Sequence, residues 1–319
     1  MSMTSAAIPA EPIEKPASLW GDAWNRLKRN KLAMVGLVLV ALLVFVAIFG
    51  PWLTPYDFLE QNLKVRNELP SFAHWLGTDD LGRDVASRVI YGARTATVVA
   101  IVVTIIAMII GIALGSIAGY FGGLLDSFIM WLTDVTMSIP NLLLVVVIST
   151  SLKPPLANWM EARYLETLNP IYRNSVWIDF ILVFGSMALI TWPPYARLVR
   201  AQVLSIRNRP YVTAARALGL PTHTIILRYI VPNAVGPLVV AVSAGLGTAM
   251  VLESAFSFLG VGVHPPTPSW GNMISDGLRV WQHYPHLLAA PAIVLGLATI
   301  AFSFLGDGLN DALNPKGQK

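Results

Sequence analysis

Apolar residues in this chain gather into long unbroken runs, not into the alternating or one-sided stripes of a soluble fold. Six runs approach or exceed the roughly 20 residues a helix needs to cross a bilayer: 32–53, a stretch inside the uncharged segment 95–125, 128–150, 178–196, 235–258 and 287–305. The third holds Asp134 and Pro140, the fourth Asp179, the fifth Glu253 near its far end, and the sixth Pro291. A proline frees a carbonyl and bends the rod, which membrane bundles tolerate where neighbours re-satisfy the group. The pattern predicts an all-α integral membrane protein with six transmembrane helices.

Composition agrees. Of 319 residues, 55% are hydrophobic and 13% charged, against about 25% charged in soluble domains, and mean hydropathy is +0.61. With no Cys, disulfides, thiolate chemistry and Cys-ligated zinc or iron–sulfur centres are excluded. The net charge is +4, and the basic residues sit beside apolar runs, so no nucleic-acid partner is expected. Residues 1–18 hold Pro9, Pro12 and Pro16 among small and charged residues and read as a disordered lead-in. The first apolar run starts too far in for a signal peptide and no small-residue cleavage site follows it, so it is expected to remain as an anchor.

Charge sets an expected orientation, because Lys and Arg favour cytoplasmic loops. Arg26, Lys28, Arg29 and Lys31 precede the first run, and Arg197, Arg200, Arg207, Arg209, Arg216 and Arg228 lie between the fourth and fifth without an acid among them. With six crossings, both termini and the 197–228 loop fall in the cytoplasm, and loops near 54–92, 151–177 and 260–286 face outward. The second outer loop carries Trp159, Tyr164, Tyr172 and Trp177, which suit either a headgroup-layer cap or a contact for an external partner.

Within the basic loop, Pro210 suits a first helical turn, Gly219 the position just past a helix end, and Pro221 the stop. A short helix is predicted there, with Ala214, Ala215 and Leu218 as a small apolar side. Such a helix could plug a groove in a partner, or lie on headgroups through Arg207, Arg209 and Arg216.

Enzyme chemistry finds little support. Neither a phosphate-cradling Gly-x-x-x-x-Gly-Lys-Ser/Thr nor His-Glu-x-x-His occurs. Ala241-Val-Ser243-Ala-Gly245 lacks the leading Gly of a nucleophile elbow and reads as small residues for close helix packing. Asp134 and Glu253 are acids inside apolar runs, candidates for a pathway or gate, or for hydrogen-bonded packing. The 78–84 cluster could bind a cation, but the expectation is that Thr78 or Asp79 caps a short surface helix. His264, His283 and His286 share one loop, without a spacing diagnostic of metal.

Thr213-Ala-Ala-x-x-x-Gly219, nine residues and then Tyr229-x-Val-Pro232 resembles the EAA loop of ABC importer permeases, with Thr213 for Glu, Tyr229 for Ile and Val231 for Leu. Further segments are similar to dipeptide/oligopeptide (peptide/nickel) permeases, C-type subunit: Trp24 to Lys31, Leu76-Gly-Thr-Asp-Asp-Leu-Gly-Arg-Asp84 with Arg88 to Arg94, Ala118 to Gly123, Ser257 to Gly262 with Pro265 to Gly271, and Leu305 to Pro315. The resemblance implies a type I importer fold: a cytoplasmic N-terminal segment (1–31), an anchor helix and outer loop (32–92), a transmembrane core (93–309) and a cytoplasmic tail (310–319) in the bacterial inner membrane. It implies a cytoplasmic coupling helix between spans four and five, contacting ATPase subunits through Tyr211, Thr213, Ala214, Ala215, Arg216, Leu218, Gly219 and Pro232. Implied partners are a second homologous permease subunit, two ABC ATPase subunits and an extracytoplasmic binding protein. ATP and Mg2+ would be bound by the ATPase subunits, and no cofactor by this chain. The implied cargo is di- or oligopeptides, with nickel, glutathione-like peptides or oligosaccharides as alternatives; from another class, a membrane scaffold that transports nothing would have no need of kinked spans or a small-faced cytoplasmic helix.

Overall fold

Asn30 begins the membrane-embedded part by capping a helix: its side chain accepts the Ala33 N–H at 3.2 Å. The computed structural model describes residues 19–173 and 176–313, and these are mainly helical, the longest exception being 54–84, where the one regular piece is a 3-10 turn, Leu63–Val65. The expected lead-in 1–18 and the end of the tail (314–319) lie outside the described residues, as do the side chains of Trp177 and Asp179. The helices are α1 (Leu19–Leu27), α2 (Lys31–Leu53), α3 (Val85–Phe121), α4 (Gly123–Ser138), α5 (Asn141–Thr167), α6 (Pro170–Arg173), α7 (Val176–Ile206), α8 (Pro210–Ala217), α9 (Thr222–Ile225), α10 (Val235–Phe258), α11 (Trp270–Val280) and α12 (Pro285–Leu313). A π turn and a 3-10 turn join α9 to α10 without a break.

Five stretches among the described residues are long and apolar enough to cross a membrane: α2, α3, α5, α9 through α10, and α12. The fourth expected run falls in α7, which is 31 residues long. The third is not one helix. Pro140 has no N–H to continue a helix and drives the residue before it out of the α region. Ile139 is accordingly extended (φ −88°, ψ 127°), so α4 ends at Ser138 and α5 restarts at Asn141.

The bundle is organised around α3 and α7. Gly111, Gly115 and Gly119 recur every fourth residue and so line one face of α3. A Cβ on Gly111 would stand 2.4 Å from Cβ of Tyr195, one on Gly115 2.4 Å from the carbonyl oxygen of Ala196, and one on Gly119 2.8 Å from Cβ of Val203. The two backbones therefore meet with no side chain between them. In lipid, where apolar burial does not drive helices together, such close contact is a main source of association. Val99, Ala100 and Val103 of α3, Val145 of α5, Met187 of α7, Met250 and Phe256 of α10, Trp270 of α11 and Phe302 of α12 fill the adjoining core.

At the start of α3 the expected cap is reassigned. Asp84, not Thr78 or Asp79, caps the helix, accepting the Ser87 N–H at 2.7 Å, and the helix is 37 residues long, not short. Asp79 closes the preceding turn instead, accepting the Leu81 and Arg83 N–H groups at 2.9 Å each. Thr78 accepts the Glu68 N–H and donates to the Val65 carbonyl.

Gly115→Ala should weaken the folded chain by about 1–3 kcal/mol, the usual effect of overpacking. Gly296→Ala, where a Cβ meets nothing within 4 Å, should not. Thermal unfolding of the two variants in detergent checks this.

Candidate functional site

Arg209 is extended (φ −68°, ψ 149°) and Pro210 occupies the first turn of α8, as the sequence predicts. At the other end Gly219 takes φ +74°, a conformation that side chains resist. Its N–H donates to the Arg216 carbonyl at 3.0 Å and the Leu220 N–H to the Ala215 carbonyl at 3.2 Å, the paired bonds of a Schellman cap. The result is a stiff 8-residue rod closed at both ends.

Its faces divide differently from the expectation. Ala215 turns inward with Val212, and both are buried against Val199, Val203, Ile206, Ile225 and Ile230. The face left open carries Tyr211, Ala214 and Leu218, spaced i, i+3, i+7, with Thr213 beside them and Leu218 81% exposed. Pro232 is also exposed, on the turn before α10. The sequence pattern had Ala214 and Ala215 on one side; the apolar pocket formed by α7 and α9 claims Ala215.

Arginines fasten this rod to the bundle. The Arg216 guanidinium lies over the Tyr120 ring, 5.4 Å from its centroid, at the end of α3. Arg207 donates to the Gly119 carbonyl at 2.9 Å. About two helical turns further back along α7, Arg200 grips Asp126 of α4 through two parallel hydrogen bonds, and Arg197 pairs with Asp134 and reaches the Thr133 hydroxyl at 3.3 Å. Asp134, a pathway candidate by sequence, is thus an exposed ion-pair partner on the surface of α4.

Between α3, α4, α5, α7 and α10 lies a cavity of about 420 Å³. Its polar lining is Thr104, Asn141, Thr191, Tyr195 and Thr248, its apolar lining includes Val103, Met137, Ile190 and Leu252, and among the described residues no charged side chain borders it. Thr191 and Thr248 donate to carbonyls one turn back in their own helices, which leaves their oxygens as acceptors. Such a wall can hydrogen-bond a polar guest without selecting for its charge.

Glu253, the other candidate, is fully buried and does not border this cavity. Its carboxylate accepts the hydroxyls of Ser269 at 2.7 Å, Ser257 at 2.8 Å and Ser254 at 3.3 Å. Ser269 also caps α11, and Ser257 accepts the Val263 N–H at 3.0 Å, so the acid ties α10, the following loop and α11 together. Trp270 completes the joint by donating to the Val89 carbonyl at 2.9 Å. Of the two sequence readings of Glu253, hydrogen-bonded packing is the one that matches this geometry.

At the same end, a cavity of about 120 Å³ is bordered by Asp79, Asp80, Arg88, Asp276 and Arg279. Burial, and then the charge of Asp80, push the Asp276 carboxyl above the usual carboxylate range, against the opposing pull of Arg279. Among the described residues no group of three or more His, Cys, Asp or Glu could hold a metal ion.

A profile described as the binding-protein-dependent transport system inner membrane component matches residues 111–319. The chain belongs to that family. Its match begins at Gly111, the first glycine of the close α3–α7 contact, and takes in α8 and all of the cavity lining except Val103 and Thr104. A second profile, the N-terminal transmembrane domain of oligopeptide transport permease C, matches residues 18–70, which hold α1 and α2. The oligopeptide transport system permease protein of Bacillus subtilis is 38% identical over 311 residues, 97% of this chain and 94% of its own length. The dipeptide transport system permease protein of Alkalihalophilus pseudofirmus is 36% identical over 97% of this chain and 93% of its own. A glutathione transport system permease protein of Escherichia coli is 36% identical over 98% and 96%. The chain is accordingly a multi-pass inner-membrane transport component.

Sequence reasoning missed the arginine fastenings and the cavity lining. The fastenings left a signal, since Arg197, Arg200 and Arg207 all sit near the end of one helix and need acceptors.

Two measurements follow from this geometry. Glu253→Ala should cost about 1–3 kcal/mol, since buried hydroxyls lose their acceptor, while Glu253→Gln, which keeps one oxygen for Ser257 and Ser269, should cost less; unfolding of both variants against the parent decides it. For Asp276, a raised folded-state pKa means the folded form holds its proton longer than the unfolded one. Stability from this group is therefore present at low pH and falls as pH rises from the unfolded to the folded value. Asp276→Asn should flatten that part of a stability-versus-pH curve.

Proposed function

We propose that this chain is one permease subunit of an ATP-driven peptide importer, with α8 as the helix through which partner ATPase subunits move the bundle. The observation that carries the reading is the open face of α8, with Tyr211, Ala214 and an 81% exposed Leu218 on a rod closed at both ends and fixed to α3 and α7. A freely mobile loop would not transmit force; a rod seated on the two most closely packed helices would. ATP and Mg2+ belong to the ATPase partners, and this chain binds no cofactor.

In this reading α7 also crosses the membrane, as the fourth of six spans. The Arg-rich segment 197–228 and both termini lie in the cytoplasm by the positive-inside rule. The second permease subunit is a homologue that completes the pathway, and an external binding protein delivers cargo to the loops at the opposite end. Nucleotide binding by the ATPase pair shifts the bundle between two access states. The uncharged cavity suits cargo whose charges vary, as they do among peptides. The relatives' names support di- and oligopeptides, with glutathione-like peptides a variant of the same cargo.

Leu218→Asp or Ala214→Trp should abolish uptake and co-purification of the ATPase subunits while membrane insertion is unchanged. Normal uptake by either variant would contradict the docking role. Mass spectrometry of cargo held by the cognate binding protein should find short peptides; a sugar or a nickel chelate would overturn the cargo assignment.

A further inference from the structure

Helix α4 is hinged at both ends. Gly122 precedes it and Gly123 begins it, with φ of +68° and +60°, and a Cβ on Gly123 would meet nothing within 4 Å. Extended Ile139 and Pro140 follow it. Of its 16 residues, only Ile129 and Thr133 are buried, while Leu124, Phe128 and Trp131 are more than half exposed. So little buried apolar surface cannot fix its position. One apolar contact, Leu132 on the cluster of Trp192, Tyr195 and Ala196, joins it to α7 near its middle, and charge fastens it on either side: Arg200 on Asp126 near one end and Arg197 on Asp134 near the other. Beyond Asp134, Met137 borders the 420 Å³ cavity, and Asn141 borders it just past the hinge.

We propose that Asp126 and Asp134 are positioning residues for transport: their ion pairs make α4 travel with the α7–α8 unit, so that displacement of α8 carries Met137 and Asn141 and reshapes the cavity wall. The proposal rests on α8 being the ATPase contact. Long arginine arms on α7 reach acids eight residues apart on an antiparallel neighbour, so sliding and tilting of α4 are both restrained. The pairs are partly exposed, at 33% and 17% for Arg200 and Asp126, and each alone is a modest contact. Acting on a helix with two soft ends, they need only outweigh hinge bending.

The test uses the complete importer in proteoliposomes, reading peptide uptake per ATP hydrolysed. Asp126→Arg should lower that ratio at least about fivefold with ATPase activity and assembly retained, and Asp126→Arg with Arg200→Asp should restore it to within about twofold, as a double-mutant cycle requires of a true pair. An unchanged ratio in the single variant, or no recovery in the swap, would overturn the proposal. Should the single variant fail to assemble, spin labels decide the matter on an otherwise native chain, which has no Cys of its own. Labels at Leu124→Cys and Ser205→Cys should keep one separation with and without trapped ATP, while Leu124→Cys to Ile300→Cys changes; a shifting Leu124–Ser205 separation would refute the coupling. Failure of the underlying reading looks different, because Leu218→Asp would then leave uptake per ATP untouched whatever the charge variants do.

Discussion

Backbone-to-backbone contact between α3 and α7, made possible by Gly111, Gly115 and Gly119, is the constraint on which the rest of the molecule depends. A bilayer offers helices no hydrophobic reason to prefer one another over lipid. Without side chains between them, the two helices gain dense dispersion contact along several turns, and they become the frame for everything else. The cavity exists because α10 and the α4–α5 break stand off from that frame, and α8 is stiff because its anchors, Tyr120, Gly119 and Ile206, belong to it.

The two ends of the bundle use different chemistry. One end is held by arginines whose heads reach carbonyls, an aromatic ring and carboxylates on neighbouring helices. The opposite end is held by a buried acid surrounded by three hydroxyls, with Trp270 fitted behind it. A buried carboxylate with that many donors makes a fixed joint. Partly exposed ion pairs between long side chains and a helix flanked by glycine and proline make an adjustable one. A transporter that opens and closes needs both, and the placement here puts the adjustable joint next to the surface proposed to receive force.

Much of this was legible in the residues. Unbroken apolar runs gave the helical membrane class, and Pro210 with Gly219 gave the bounds of α8 almost to the residue, because each punctuating residue has a single backbone use there. Pro140 was read as a kink within one span, whereas the extended backbone it imposes on Ile139 separates two helices. The direction of Ala215 was hidden, since which side of a short helix is inward depends on α7 and α9, far along the chain or across a turn. Asp134 looked like a buried charge for the same reason: a run of apolar neighbours says that a residue is in the membrane zone, not that Arg197 waits on another helix.

The central claim is that the open face of α8 is the seat of a nucleotide-hydrolysing partner, and site-directed cross-linking in intact cells tests it most directly. The chain's lack of Cys lets Leu218→Cys serve as a unique attachment point. The account predicts a cross-link to an ATPase subunit and no labelling of that cysteine by an impermeant thiol reagent added outside the cell. Labelling from outside, or capture of no ATPase subunit, would contradict it.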